Sequence, residues 1–398
     1  MQNPFNARAP SFDVNAINET IQRALACAGL DTSSGPMHEV TQTIRRALAS
    51  GGLPGAAAFP VSSQSVIDVI AREVDIVDVG RNDSNDRPSA SVSMAPGTFE
   101  TREFSNPAGT RSYKLYVPAR ASDAPRPMMV MLHGCTQSAD DFAAGTQMNR
   151  LADEHGFLVV YPEQPTHANM SKCWNWFKQQ DQVRDAGEPS LIAGIVREVA
   201  ARHGADLRRI FVAGLSAGAA MAVVVGETYP ELIAGVGAHS GLPYGSAHDV
   251  ASAMAAMKGG RSGLPGLQGA PGVGAGSPKK ALQPVPIIVF HGDRDHTVQQ
   301  TNGSEIVKQA KDAYLTRSGE ATLISSTERS KAPGGRSYSR TVHADGTGGA
   351  QIESWTIHGA AHAWSGGDAR GSYTDPAGPD ASAEMVRFFL ALPSAGSA

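Results

Sequence analysis

A serine, an aspartate and a histidine, widely spaced in this 398-residue chain, are the residue types that nucleophilic acyl transfer needs. The serine is Ser216, in Gly214-Leu215-Ser216-Ala217-Gly218, a match to G-x-S-x-G. An apolar run at 210–213 precedes it and small apolar residues follow from 219 to 225, so the motif joins an expected buried strand to an expected helix. A serine on so tight a strand-to-helix turn holds its Oγ clear of the sheet, and the flanking glycines relieve crowding. The helix start adds free N–H groups and a positive dipole end, both suited to a developing oxyanion. The competing reading is a Gly-rich turn made only for packing. The strand and helix on either side favour the catalytic one.

The acid is sought in His291-Gly292-Asp293-Arg294-Asp295-His296-Thr297-Val298, directly after the apolar run PIIVF. Asp295 is favoured, because H-G-x-x-D-x-x-V is the arrangement that enzymes of this kind use. Asp293 competes, with turn formation as its other role. The base is His362 in GAAHAWSGG, where small neighbours leave the imidazole able to enter a site between loops. A lone histidine is usually structural. The order Ser216, Asp295, His362, each in a loop after a successive expected strand, is what singles this one out.

His133-Gly134-Cys135-Thr136 follows an earlier strand, where such a site takes its second oxyanion donor. The hole is therefore assigned to the N–H groups of Ala217 and Cys135, with Thr136 as the alternate donor or a substrate contact. Cys135 enters as a backbone donor, since no local base or thiolate partner is evident. A bridge between Cys135 and Cys173 stays open, because sequence does not give distance. Trp174 and Trp176, in CWNWF, are read either as core anchors or as cleft walls. Trp364, two residues from His362, is expected to line the cleft. There is no HExxH motif, no paired-cysteine spacing and no GxGxxG between strand and helix, so neither a metal nor a nucleotide cofactor is expected.

The elements that must position these residues follow from periodicity. Segments 98–104 and 111–117 read as an antiparallel pair, and 127–132, 157–161, 210–213, 233–239, 286–290 and 352–357 as further strands. Helices are expected around 145–155, 191–203 and 383–390. Strands alternating with helices imply a mostly parallel sheet covered on both faces, an α/β domain over 97–393. The Gly/Pro/Ala-rich tract 259–284 reads as a surface insertion. Ahead of the domain, 83–96 is polar, rich in Ser and Asn, and reads as a linker. Within 1–82, residues 19–30 (ETIQRALACAGL) align with 42–53 (QTIRRALASGGL) at eight of twelve positions. Each copy has apolar residues at i and i+4 and a terminal glycine, so a short helical extension is expected. It would pack on the domain or a second subunit, or dock to a hydrophobic surface such as a polymer granule.

The chain carries net charge −4 with 41% hydrophobic and 18% charged residues, which gives no reason to expect nucleic acid or an anionic membrane as partner. No run approaches the roughly 18 apolar residues of a membrane span. The N-terminus lacks an apolar signal core, so cytoplasmic residence is the default. Three cysteines, Cys27, Cys135 and Cys173, do not look like a disulfide framework.

With HGCTQSADDF, CWNWF, GLSAG, HGDRDHTV and GAAHAWSGG in place, the chain resembles the poly(3-hydroxybutyrate) depolymerase family of esterases over about residues 100–392. That family shares its α/β-hydrolase domain with feruloyl and acetylxylan esterases. The resemblance implies Ser216 as nucleophile, Asp295 as acid, His362 as base and the Cys135 loop as part of the oxyanion hole. It also implies a cleft lined by the tryptophans, and a polyester, its oligomers or another small ester as substrate. Secreted members carry signal peptides and often polymer-binding domains, so this chain looks more like the intracellular branch.

Overall fold

The computed structural model describes residues 97–393 other than 121, 123, 260–283, 319–321 and 347–348. All of them belong to the second of the chain's two units, Pro88–Ala398. The expected helical repeat within 1–82, the linker 83–96 and nearly all of the 259–284 tract lie outside the described residues.

In chain order the elements are β1 (Thr98–Asn106), β2 (Gly109–Val117), β3 (Arg126–Leu132), α1 (Ala139–Thr146), α2 (Met148–His155) and β4 (Leu158–Pro162). Next come α3 (Gly187–His203), β5 (Ala205–Leu215), α4 (Ala217–Thr228), β6 (Gly235–His239), α5 (Val250–Met257) and β7 (Ile287–Gly292). The domain closes with α6 (Thr301–Ser318), β8 (Ile324–Lys331), β9 (Ser337–Ala344), β10 (Ala350–Ile357) and α7 (Ala381–Ala391). Ten of these are strands of one sheet in the order β1-β2-β4-β3-β5-β6-β7-β10-β9-β8. From β4 to β10 every neighbour is parallel, and the pairs β1–β2 and β9–β8 are antiparallel margins.

The inner strands read as continuous apolar runs because both of their faces are buried. In β3, Met128, Val130 and Leu132 enter one core with α3 and α4, while Met129 and Met131 enter another with α1, α2 and α7. β5 alternates likewise, with Ile210 and Val212 on the first side and Phe211, Ala213 and Leu215 on the second. This is the expected mostly parallel, doubly covered α/β sheet. Parallel strands bring the loops after β3, β5, β7 and β10 to one edge, where open α/β sheets carry their sites.

Two local expectations change. The helix expected around 145–155 is α2, starting at Met148, and a separate short helix, α1, precedes it, because Gln147 turns left-handed (φ 56°), caps α1 through its N–H to Ala143 O, and starts α2 afresh. The region between 298 and 352, given no element by periodicity, holds α6 and the β8–β9 hairpin. β8 is exposed along its whole length, so no apolar alternation marks it.

Candidate active site

The Ser216 elbow is built against the end of β3. Ser216 adopts φ 57° and ψ −120°, a region sparsely populated by residues with a side chain and typical of a strained functional turn. The turn leaves no room beside it. A Cβ on Gly218 would stand 2.1 Å from Leu132 O and 2.5 Å from His133 O, and one on Gly214 would stand 2.5 Å from the Gly218 backbone. Gly218→Ala is therefore expected to cost about 3 kcal/mol and to lower turnover along with the urea midpoint, because β3 and the elbow must part. The Ser216 N–H donates to His239 O at 2.9 Å, which ties the elbow to β6. Ala217 opens α4, so its N–H has no partner one turn back and faces the positive end of the helix dipole.

The loop after β3 lies on this elbow. His133 is buried and fixed at both ring nitrogens: Nε2 accepts the Gln164 N–H at 3.0 Å, so Nδ1 bears the proton and donates to Gly134 O at 2.7 Å. Burial pushes its pKa down, consistent with a neutral ring. The Thr136 N–H is taken up by Ser171 O at 2.7 Å, which leaves the Cys135 N–H as the loop donor with no recorded partner among the described residues. The Thr136 hydroxyl bonds Cys135 O and Tyr373 Oη. Tyr373 is 47% exposed and Met170, beside Ser171, is 92% exposed. An apolar rim thus flanks the loop.

The bridge that the sequence leaves open is formed, so the expectation of no disulfide framework gives way at one pair. Cys135 and Cys173 form a disulfide, Cα–Cα 4.2 Å, tying the loop after β3 to the segment that follows β4. The bridge spans 38 residues of sequence, so spacing alone could not reveal it. With its sulfur bonded, Cys135 has no thiolate to offer. Cys27 lies outside the described residues.

Burial favours the core-anchor alternative for Trp174 and Trp176 and corrects the cleft expectation for Trp364. Trp174 and Trp364 are 0% and 1% exposed and Trp176 is 6% exposed. Trp174 donates from Nε1 to His133 O at 3.1 Å, supporting the loop from beneath. Trp364 stacks on His239 at 5.2 Å, meets Phe142 edge-on at 5.4 Å and donates to Ser382 Oγ at 3.0 Å. Both tryptophans of CWNWF turn inward because Asn175 between them is itself anchored. Its N–H reaches Glu188 Oε2 and its Nδ2 reaches Glu188 Oε1, each at 2.7 Å. Glu188 also takes bonds from Gln164 and Arg111. Burial, then the nearby Asp181 charge, push its carboxyl pKa up against those donors. In sequence Glu188 looks like any acid in the first turn of a helix, so nothing flagged it as the hub of this loop.

The acid and base come from the loops after β7 and β10. Asp295 Oδ2 accepts from His362 Nδ1 at 2.7 Å, and Asp295 Oδ1 accepts the N–H groups of Thr297 and Val298 at 3.0 and 2.9 Å. Burial pushes the Asp295 carboxyl up. The hydrogen bond and charge of His362, the Val298 N–H and the His291 charge outweigh it, and the net pKa is below the ordinary carboxylate value. Asp293 engages a different partner: Oδ2 meets His358 Nδ1 at 3.0 Å and Oδ1 takes the Gly359 N–H at 2.7 Å. Beneath the pair, His239 accepts the Ser365 N–H at Nε2. Its pKa is pushed down to about 3 by burial and by the neighbouring His291 and His362 charges.

The Asp295 side chain is fully covered, the His362 side chain is partly covered, and Ser216 is itself buried at 9% exposure. Among the described residues the Ser216 hydroxyl makes no hydrogen bond to His362, a contact that commonly tightens only once substrate binds. Among those residues no group of three or more His, Cys, Asp or Glu side chains is placed to hold a metal, and none of their helices is long and apolar enough to cross a membrane.

Strand order, elbow and an Asp–His pair at the carboxyl edge define an α/β-hydrolase. More narrowly, the chain belongs to the esterase PHB depolymerase family, whose model matches residues 111–325. It is 34% identical over 257 residues to the poly(3-hydroxyalkanoate) depolymerase C of Paucimonas lemoignei, covering 65% of this chain and 59% of that protein. It is 31% identical over 215 residues to a probable acetylxylan esterase A of Aspergillus fumigatus, covering 52% and 55%. A feruloyl esterase B of Neurospora crassa is 37% identical over 150 residues, covering 37% and 50%. The chain thus spans between half and three-fifths of these relatives. Among solved structures, an acetyl xylan esterase from Aspergillus awamori superposes with TM-score 0.56 at 20% identity, covering 74% of this chain and all of that one. At that identity the likeness shows the fold.

Proposed function

We propose that this protein is a serine esterase that hydrolyses poly(3-hydroxybutyrate) or its oligomers through an acyl-enzyme. The observation that carries the reading is the 2.7 Å Asp295–His362 bond on the sheet edge where the elbow presents Ser216. His362 takes the Ser216 proton at Nε2 as Oγ attacks the ester carbonyl, and Asp295 holds the proton on Nδ1 and stabilises the imidazolium. The N–H groups of Ala217 and Cys135 receive the oxyanion. His362 then protonates the leaving alcohol, and water repeats the sequence on the acyl-enzyme. The name of the Paucimonas lemoignei relative supports the polyester reading, as do Met170 and Tyr373 on the rim, which suit an apolar chain. The names of the acetylxylan and feruloyl esterase relatives support a second reading, hydrolysis of a carbohydrate-linked ester.

The test is release of 3-hydroxybutyrate from amorphous polymer granules beside methyl ferulate, acetylated xylan and p-nitrophenyl butyrate, with Ser216→Ala as control. Monomer or oligomer release from granules is the expected outcome. Granules left intact while methyl ferulate or xylan acetate turns over would replace the polyester with the second substrate class. Location bears on this choice. Cytoplasmic residence would put stored polymer and its granule surface within reach. The Cys135–Cys173 bridge pulls the other way, since such bonds persist in oxidising compartments. Alkylation of the two thiols in freshly lysed cells decides between them.

A further inference from the structure

The loops after β7 and β10 supply two aspartate–histidine pairs, one of which, Asp295 with His362, is the pair assigned to Ser216. The other is Asp293 with His358, and it has a serine of its own. Ser339 Oγ lies 2.9 Å from His358 Nε2, and His358 Nδ1 lies 3.0 Å from Asp293 Oδ2. In this arrangement Nδ1–H donates to the carboxylate and Nε2 accepts from the hydroxyl, the tautomer a general base needs. Here the serine–histidine contact is closed, as it is not at Ser216.

The arrangement is held from several sides. Asp293 Oδ1 is fixed by the Gly359 N–H at 2.7 Å, the Asp293 N–H donates to Ile357 O at 3.1 Å, and the His358 N–H donates to Ser337 O at 2.9 Å. Ser339 sits on β9 opposite Thr356 of β10 and opposite Arg329 of β8. Directly opposed residues share a face, with Cβ atoms about 5 Å apart, so Arg329 and Ser339 are neighbours on one face of the sheet. Arg329 is exposed and forms no recorded ion pair among the described residues. The His358 and Asp293 side chains are 39% and 34% exposed, which leaves the triad open to small molecules from solvent.

We infer that Ser339, His358 and Asp293 form a second acyl-transfer centre that accepts acyl groups from small activated esters. Ser339 Oγ bonds to the acyl carbon while its proton passes to His358 Nε2. The bond from that carbon to the leaving oxygen breaks, the leaving group departs with a proton from His358, and water resolves the ester on Ser339. Ser339 lies in a strand paired on both sides, so its neighbouring N–H groups are committed to the ladder and no preformed backbone hole receives the oxyanion; Arg329, opposite it on β8, is the cation that register places on the same face. Donors with good leaving groups are therefore the substrate class, and turnover is slow.

The experiment uses the full chain carrying Ser216→Ala, treated with p-nitrophenyl acetate or a fluorophosphonate and read by peptide mass spectrometry. The expected result is an adduct on Ser339 forming at least tenfold faster than on other surface serines. It should be at least tenfold slower when His358→Gln is added. No adduct at Ser339, or equal labelling with and without His358→Gln, overturns the inference. A purely structural latch of β9 to the two loops would not move this readout. The wild-type chain, labelled in parallel, reports Ser216 separately, so this centre and the main site stand or fall independently.

Discussion

Ser216→Ala is expected to lower kcat on polymer or on an unactivated ester by about 10⁴-fold or more, with KM little changed and the thermal midpoint nearly unmoved. The stability half follows from the geometry. The Ser216 hydroxyl has no recorded hydrogen-bond partner to lose, and alanine carries the same Cβ into the same φ of 57°, so the strain is neither added nor relieved. Ser216→Gly should differ: it removes the Cβ from a left-handed position and should raise stability by about 1 kcal/mol while remaining equally inactive. Such a pair separates the strain of the elbow from its chemistry. Residual rate in Ser216→Ala would come from the Ala217 and Cys135 donors acting on bound substrate and water. Full activity on polymer would end the assignment. Slow release from a nitrophenyl ester alone would point to Ser339 instead.

How much of this was legible in sequence depends on whether a residue's role is local. The inner strands declare themselves because burial on both faces leaves apolar runs at 128–132 in β3, 158–162 in β4 and 287–290 in β7. The elbow is legible because its glycines and serine are contiguous and steric need fixes their types. Asp295 and His362 were legible through order and motif, but the choice against Asp293 needed the 2.7 Å contact and the separate His358 partner. What escaped is non-local. The Cys135–Cys173 bond joins loops from different crossovers. For Trp174 and Trp176 sequence leaves core and cleft open and for Trp364 it points to the cleft, yet Glu188 draws Asn175 and its neighbours inward, and His239 and Phe142 cover Trp364. The β8–β9 hairpin is an exposed margin where alternation carries no burial signal. Ser339 and His358 gain a shared meaning only when β9 is laid beside β10.

Asp295→Asn is expected to lower kcat by about 10⁴-fold while the protein still folds. The asparagine side chain has one oxygen for two jobs. Oδ1 of Asp295 takes two backbone N–H groups, from Thr297 and Val298, and an amide can keep those bonds only by presenting its oxygen there. Its NH₂ then faces His362 Nδ1, which must become an acceptor, so the ring proton moves to Nε2 and the base can no longer take the Ser216 proton. Turning the amide over would set NH₂ against two buried donors, at a cost of about 1–3 kcal/mol for each group left unpaired. The first arrangement therefore wins, and it is the inactive one. The stability effect has a definite pH window. Because the folded carboxyl has a pKa below its ordinary value, its contribution is fully present above about pH 4 and is lost as pH falls through the folded value. Asparagine lacks that contribution at every pH. Urea midpoints of the two proteins should therefore differ most at neutral pH and converge below about pH 4. A constant gap down to pH 2.5, or a kcat within tenfold of wild type, would mean that Asp295 does not hold the His362 proton.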